Sequence, residues 1–198
     1  MPKVSVIVPI YNVEIYIEKC VRSLFEQTLD DIEYIFVNDC TQDNSMKILE
    51  KVLLEYPHRK PQVNIFNHEK NQGQAGARAT GMKAMTGEYM IHCDPDDWVE
   101  LNMYETMYNT AKENNSDLVV CNFYKVENNI ITKSIQQRYY DKVGITTLLK
   151  YNFWCSLWNN MIKSSIIIIH DIYPIYGINY GEDLNIICRV LYYKKIEY

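Results

Sequence analysis

The feature that most constrains this chain is a rhythm. Short apolar runs alternate with stretches of helical spacing over residues 1–123. Val4–Ile10 (VSVIVPI) is short, β-branched and closed by Pro9, the pattern of a buried strand. Across residues 15–27 the spacing turns helical, with Ile17, Val21, Leu24 and Phe25 on one face. Residues 32–37 (IEYIFV) predict a second strand. Residues 45–56 predict a second helix, with Ile48, Leu49, Val52 and Leu53 inward and Asp43 as its cap. Strands at 63–66, 89–93 and 118–123 follow, separated by a small-residue helix at 75–85 and another at 101–114. Strands joined by helices imply a largely parallel sheet with helices on both faces. Such sheets bind ligands outside the carboxyl ends of their strands.

After Phe123 the rhythm breaks. Residues 126–132 predict a hairpin, 144–151 a helix and 184–193 a closing helix, while 153–169 resist assignment. No repeat, low-complexity tract or linker interrupts the 198 residues, so one domain with a sizeable core is expected.

Composition narrows the function classes. A hydrophobic fraction of 47% and a charged fraction of 23% describe an ordinary soluble globular protein. The net charge of -5 argues against a nucleic-acid partner, which calls for a basic surface. Seventeen Tyr exceed what a core needs, so some should face a ligand or partner. The six Cys show no CxxC pair and are expected as buried free thiols in a reducing, cytoplasmic setting. Met1 leads straight into a strand-like segment, so no signal peptide is expected. No apolar run approaches the ~20 residues of a membrane span, which leaves peripheral association with the cytoplasmic face compatible with the sequence.

Five clusters sit at strand ends or helix starts. PIYNVE (residues 9–14) follows strand one; Tyr11 can stack on a base and Asn12 or Glu14 can read a base edge or ribose, or the stretch is an ordinary turn. VNDCTQDNS (37–45) follows strand two; Asp43 and Ser45 suit helix capping, which does not account for Asp39. NQGQAGARATG (71–81) joins a strand to a helix through glycines, but has neither GxGxxG nor GxxxxGK[ST], so a dinucleotide fingerprint or P-loop fits poorly. Arg78 there can meet a diphosphate or form a structural ion pair. DPDDW (94–98) puts three carboxylates within four residues, either capping the next helix or giving hard oxygen ligands to Mg²⁺ or Mn²⁺. GINYGEDLNIICR (177–189) starts an apolar helix with Glu182 and Asp183, as dipole-matched caps or as a projecting base. Trp154 and Trp158 either wall an acceptor or pack in the core, and the four His, His92 included, are assigned to structure.

The order of these clusters is more informative than any one of them. VSVIVPIYNVE, then Asp39 in VNDCTQDNS, NxGxxxAR, GEYMIHCDPDD and finally GED resembles the family 2 glycosyltransferases of the GT-A fold, from Val4 to about Arg189. The resemblance implies inverting transfer of a sugar from a nucleotide-diphosphate donor, with UDP the first candidate, to a hydroxyl of a glycan, lipid-linked or polysaccharide acceptor. It implies a nucleotide-sugar-binding part over residues 1–123 and an acceptor and base part over 124–198. It puts Tyr11 and Asp39 at the nucleotide base, with Pro9, Asn12 and Glu14 nearby. Asn71, Gly73 and Arg78 fall beside the donor, and Asp94 and Asp96 near its ribose and diphosphate. Asp97, with Asp96, becomes the ligand of a divalent metal, Mg²⁺ or Mn²⁺. Asp183 becomes the catalytic base, with Glu182 its neighbour.

Some positions depart from the family pattern. Asn38 and Cys40 stand where Asp and Gly are frequent, Pro95 where Ser is common, and Ala79 where Asn often follows the AR pair. Relatives often continue beyond the acidic-pair helix, so the expectation is that acceptor or membrane-contact elements lie outside these residues. Two other readings are a noncatalytic nucleotide-sugar-binding module and a sugar nucleotidyltransferase. The second would need a Gly-rich basic loop after strand one, where this chain has YNVE.

Overall fold

The computed structural model describes residues 1–127, 130–134, 155–175, 177 and 180–193. Its elements, in chain order, are β1 (Val4–Ile10), α1 (Ile17–Phe25), β2 (Ile32–Asn38), α2 (Ser45–Glu55), a 3₁₀ turn (Lys60–Gln62), β3 (Val63–Asn67), α3 (Gly73–Ala84), β4 (Tyr89–His92), α4 (Met103–Glu113), β5 (Leu118–Val120), β6 (Phe123–Glu127), β7 (Ile130–Ser134), β8 (Asn160–Lys163), α5 (Ser164–Ile169) and α6 (Glu182–Tyr193).

Six strands form one sheet in the order β3-β2-β1-β4-β8-β5. β1 is parallel to both β2 and β4, and β2 to β3; β8 runs antiparallel between β4 and β5. The largely parallel sheet predicted from the rhythm is therefore present. All seven residues of β1 are buried, as a central strand covered on both faces must be. Val4, Val6, Val8 and Ile10 face one core with α1, α2 and α4, while Ile7 faces the other with α3, α5 and α6. The predicted inward face of α1 is buried at Ile17, Val21, Leu24 and Phe25. In α2, Leu49 and Val52 are buried, and Ile48 and Leu53 pack against the same core.

Gly81 is a packing residue rather than a turning one. It lies inside α3, and a Cβ there would drive into Cγ2 of Ile7. Its smallness lets α3 ride close on β1.

Three differences have local causes. The run at 118–123 splits, because β5 ends at Val120 and Phe123 already opens the hairpin β6–β7, which is longer than the predicted 126–132. The tract that resisted assignment holds β8 and α5; β8 is four residues long and carries Asn160 and Lys163, so it lacks an apolar strand pattern. The Cys are all free, but only Cys20 and Cys93 are buried and the other four are half-buried. The predicted helix at 144–151 and Trp154 lie outside the described residues.

Candidate active site

The carboxyl ends of β1, β2 and β4 carry most of the predicted site. Pro9 is buried in β1, and Tyr11 follows at the strand's mouth, 46% exposed. Asn12 and Glu14 are used to join loops. The Asn12 N–H donates to Thr41 Oγ1 (2.8 Å) and the Glu14 N–H to Asp43 Oδ2 (2.9 Å), while Glu14 Oε2 accepts the Asn44 N–H (2.8 Å). The N-cap of α2 is Asn44 rather than the predicted Asp43, although Asp43 Oδ1, one residue earlier, accepts the Ser45 N–H (3.0 Å). Burial pushes its carboxyl up, but bonds from Ser45, Glu14 and Thr41 outweigh that and hold it down at about 2. Asn12 and Cys40 both lie in the left-handed region, with φ of 52° and 62°. Cys40 thus adopts the backbone conformation that glycine takes most easily.

Asp39 is buried and ties the end of β2 to the start of α3. Its Oδ1 accepts the Gln72 N–H (2.8 Å) and lies 2.7 Å from His68 Nδ1, and its Oδ2 accepts the Gly73 N–H (2.8 Å). Asn71 donates to the Asp39 carbonyl (3.3 Å) and accepts from the Gly73 N–H (3.0 Å). Gly73 holds a φ of 77°, which a side chain would resist. His68, whose Nε2 reaches Thr80 Oγ1 at 2.8 Å, completes this cluster. Sequence reasoning assigned His68 to structure alone. The available signal was its place directly after β3, where the other clusters sit after their strands.

Arg78 joins the two halves of the chain. Its guanidinium is buried; Nη2 donates to Asp94 Oδ1 (2.9 Å), and Nη1 donates to Glu182 Oε1 (2.8 Å) and to Asp183. One cation therefore holds three carboxylates from β4's loop and α6. Asp183 Oδ2 also accepts the Leu157 N–H (3.3 Å). Burial raises the Asp183 pKa, helped by Glu182 and Asp94, against the pull of Arg78 and Leu157. The side chain of Asp183 is 24% exposed and that of Glu182 only 7%, so Asp183 is the member of the pair that a ligand can reach. Gly181, with φ 79°, turns the chain into α6. His92 is buried beside this group, and burial with the Arg78 charge holds its pKa well below the ordinary value, so it is neutral.

The acidic loop follows β4. Pro95 is buried, and the Asp97 N–H donates to the Asp94 carbonyl (3.0 Å), closing a turn that leaves Asp96 and Asp97 exposed. Among the described residues no Lys or Arg pairs with either. Surrounding protein, and then the Asp96 and Asp94 charges, push the Asp97 carboxyl up to about 6. Among the described residues no three His, Cys, Asp or Glu form a metal cage. The donor set is two exposed hard carboxylates with uncompensated charge, which fits a Mg²⁺ or Mn²⁺ whose other ligands come from a substrate.

The sequence model of the family Glycosyl transferase family 2 matches residues 5–173, most of the chain. The chain belongs to that family. This family 2 chain is 34% identical over 177 residues to glycosyltransferase GlyA of Streptococcus pneumoniae, covering 83% of the chain and 25% of GlyA. S. aureus TarS (residues 1–349), solved in complex with UDP-GlcNAc, superposes with a TM-score of 0.79 at 24% identity, over 96% of the chain and 53% of TarS. The mannosyltransferase PcManGT of Pyrobaculum calidifontis, solved with GDP-Man and Mn²⁺, superposes with a TM-score of 0.68 at 16% identity, over 93% of the chain and 50% of PcManGT. The fold is of the GT-A type expected from the family. The chain spans 35%, 25% and 52% of the first curated relatives it matches. Among the described residues no helix is long and apolar enough to cross a membrane.

Proposed function

We propose that this family 2 chain transfers a sugar from a nucleotide-diphosphate donor to an acceptor hydroxyl by a single inverting displacement. The observation that carries the reading is the Arg78 bridge. It holds the first carboxylate of the acidic loop and the Glu182–Asp183 pair on one guanidinium. A donor-side acid and a reachable carboxylate base are thereby fixed on one rigid group, as a displacement with donor and acceptor on opposite sides requires.

Asp183 takes the proton of the acceptor hydroxyl. The freed oxygen attacks the anomeric carbon, and the diphosphate leaves with the electrons of the bond it breaks. Such general-base help contributes roughly 10²–10⁴-fold. Burial raises the Asp183 pKa and so strengthens it as a base, while the Arg78 charge pulls the other way, toward its ionised form. Arg78 acts as a positioning residue, because Nη1 and Nη2 are engaged by the chain's own carboxylates. Asp97, with Asp96, would hold a Mg²⁺ or Mn²⁺, whose chemistry is to neutralise the diphosphate as it leaves. Tyr11 stands at the nucleotide-base end with Asn71 and Gly73. Asp39, buried and bonded to His68, Gln72 and Gly73, shapes that end of the site. The nucleotide sugars bound by TarS and PcManGT support a donor of this class. UDP is the first nucleotide to test. The acceptor is a hydroxyl of a glycan, lipid-linked or polysaccharide molecule.

The test is the anomeric configuration of the product, read by NMR from a defined donor. Inversion at the transferred carbon is expected. Retention would exclude a single backside displacement and would overturn the reading.

A further inference from the structure

The sheet registers bring three buried polar side chains together behind the Arg78 bridge. β1 and β4 pair Ile7 with His92, and β4 and β8 pair Met90 with Ile162. Residues two apart on a strand share a face. His92 therefore lies on the face of Ile7, Met90 and Ile162, which α3, α5 and α6 cover. Counting on from Met90 and Ile162 in the antiparallel sense sets Asn160 across from His92 on that same face. Arg78 comes from α3, and its charge acts on His92. Arg78 and His92 are 1% exposed and Asn160 is 0% exposed.

Four polar atoms of this group have no hydrogen-bond partner among the described residues: Arg78 Nε, both ring nitrogens of His92, and Asn160 Oδ1. Buried polar atoms are seldom left so, and four from three neighbouring residues call for a common cause. Their chemistry is complementary. Arg78 Nε can only donate, and Asn160 Oδ1 can only accept. A neutral imidazole accepts at one nitrogen and donates at the other. The amide nitrogen of Asn160 is already spent on the Ser156 carbonyl (2.6 Å) and on Asn159 Oδ1 (2.7 Å), which settles the end of the amide that faces outward from that network as oxygen. Ser156 Oγ donates to the same Asn159 oxygen (2.8 Å). The loop held in this way contains Leu157, whose N–H reaches Asp183 Oδ2 (3.3 Å). Arg78 at one end and Leu157 at the other are the two donors that grip Asp183.

We propose that His92 is a positioning residue: held in one neutral tautomer, it accepts a hydrogen bond from Arg78 Nε and donates one to Asn160 Oδ1, with a buried water bridging any pair beyond direct reach, and so locks together the two groups that hold Asp183. The inference rests on the reading of Asp183 as the base and extends it to a side chain that touches no reacting atom.

A histidine that only fills space would respond to mutation in the opposite way. Replacing it by an apolar ring would remove two orphaned polar atoms and leave the fold as stable or more so. Replacing a link instead strands Arg78 Nε and Asn160 Oδ1 and loosens the Arg78 charge from Asp183. The charged groups facing Asp183 are Arg78 from α3, Glu182 from α6 and Asp94 from the acidic loop, with the Cys155 thiol also within its field. Weakening the one cation among them raises the Asp183 pKa.

The experiment compares the parent with His92→Phe, His92→Gln, Asn160→Leu and the double variant His92→Phe/Asn160→Leu. The ring nitrogens are read by NMR on chain labelled with ¹⁵N-histidine, the His92 signals being those lost in His92→Phe. Thermal melts and the pH profile of kcat at saturating donor are taken on the same samples. One tautomer, protonated at a single nitrogen, is expected. His92→Phe should melt below the parent and move the acid limb of kcat up by about 1 pH unit, the low end of what a neighbouring cation supplies, with donor affinity unchanged. His92→Gln, whose amide both accepts and donates, should return most of that shift. The double variant should melt no lower than the worse single one, since both break one chain of bonds. A mixture of tautomers, additive losses in the melts, or His92→Phe melting at or above the parent with its acid limb in place would overturn the proposal and leave the glycosyltransferase reading standing. A single tautomer and coupled melts in a parent chain that turns over no nucleotide sugar would overturn the function reading, and the positioning role with it.

Discussion

Replacing Arg78 tests the bridge at the centre of the site. Arg78→Met keeps a long apolar stem and deletes the cation shared by Asp94, Glu182 and Asp183. A neighbouring cation lowers an Asp pKa by roughly 1–3 units. Its loss, with Glu182 and Asp94 still nearby, should raise the Asp183 pKa by about that amount, at ~1.4 kcal/mol per unit. Asp183 works only when deprotonated, so turnover falls as pH drops through its pKa. The acid limb of kcat should therefore move up by about 1–3 pH units. Arg78→Lys should return part of the shift, since it restores the charge without the fork. Removing one partner of a buried ion set costs about 3–5 kcal/mol, and the deficit should shrink in acid as Asp183 protonates. The assay is diphosphate-nucleotide release followed from about pH 5 to about pH 9, with donor affinity measured at each pH because Asp97 titrates near 6. A thermal melt of each variant separates folding from chemistry. An acid limb that stays in place while kcat falls by one factor at every pH would refute the argument.

Two further outcomes follow from the same geometry. Asp97→Ala should abolish the Mn²⁺-dependent gain in donor affinity, an effect of about tenfold or more (~1.4 kcal/mol), seen by calorimetry with and without the metal. For Asp43 the folded pKa of about 2 lies below the unfolded value near 3.9, so its contribution is complete above about pH 4 and is lost as pH falls toward 2. Asp43→Asn should accordingly lower the melting temperature at neutral pH, by a margin that closes between about pH 4 and about pH 2.

How far the sequence reached depends on the distance over which each feature is decided. β1 was legible because a central parallel strand must be apolar at every position, and Val4–Ile10 is buried throughout. α1 was legible because its burial follows its own period. β8 was not, since its four residues become a strand only by inserting between β4 and β5. The candidate site divides similarly. The acidic loop, the Glu182–Asp183 pair and Asp39 were visible as charges at strand or helix ends. That Asp39 spends three bonds holding His68 and the start of α3 could not be read from spacing. Nor could the Arg78–Asp183 contact, which joins residues 105 apart in the chain. Local pattern named the charged groups, and only the packing of α3 against α6 and β4's loop decided which of them meet.

The most direct test of the account is Asp183→Asn. The amide keeps the size of the side chain, and its one oxygen can still accept from Arg78 while its NH₂ takes the place of the oxygen that accepted the Leu157 N–H, but it takes no proton at working pH. Donor affinity by calorimetry should stay within about threefold of the parent, while transfer to acceptor falls by roughly 10²–10⁴. Unchanged transfer with intact donor binding would contradict the assignment of Asp183 as the base, and with it the mechanism proposed here.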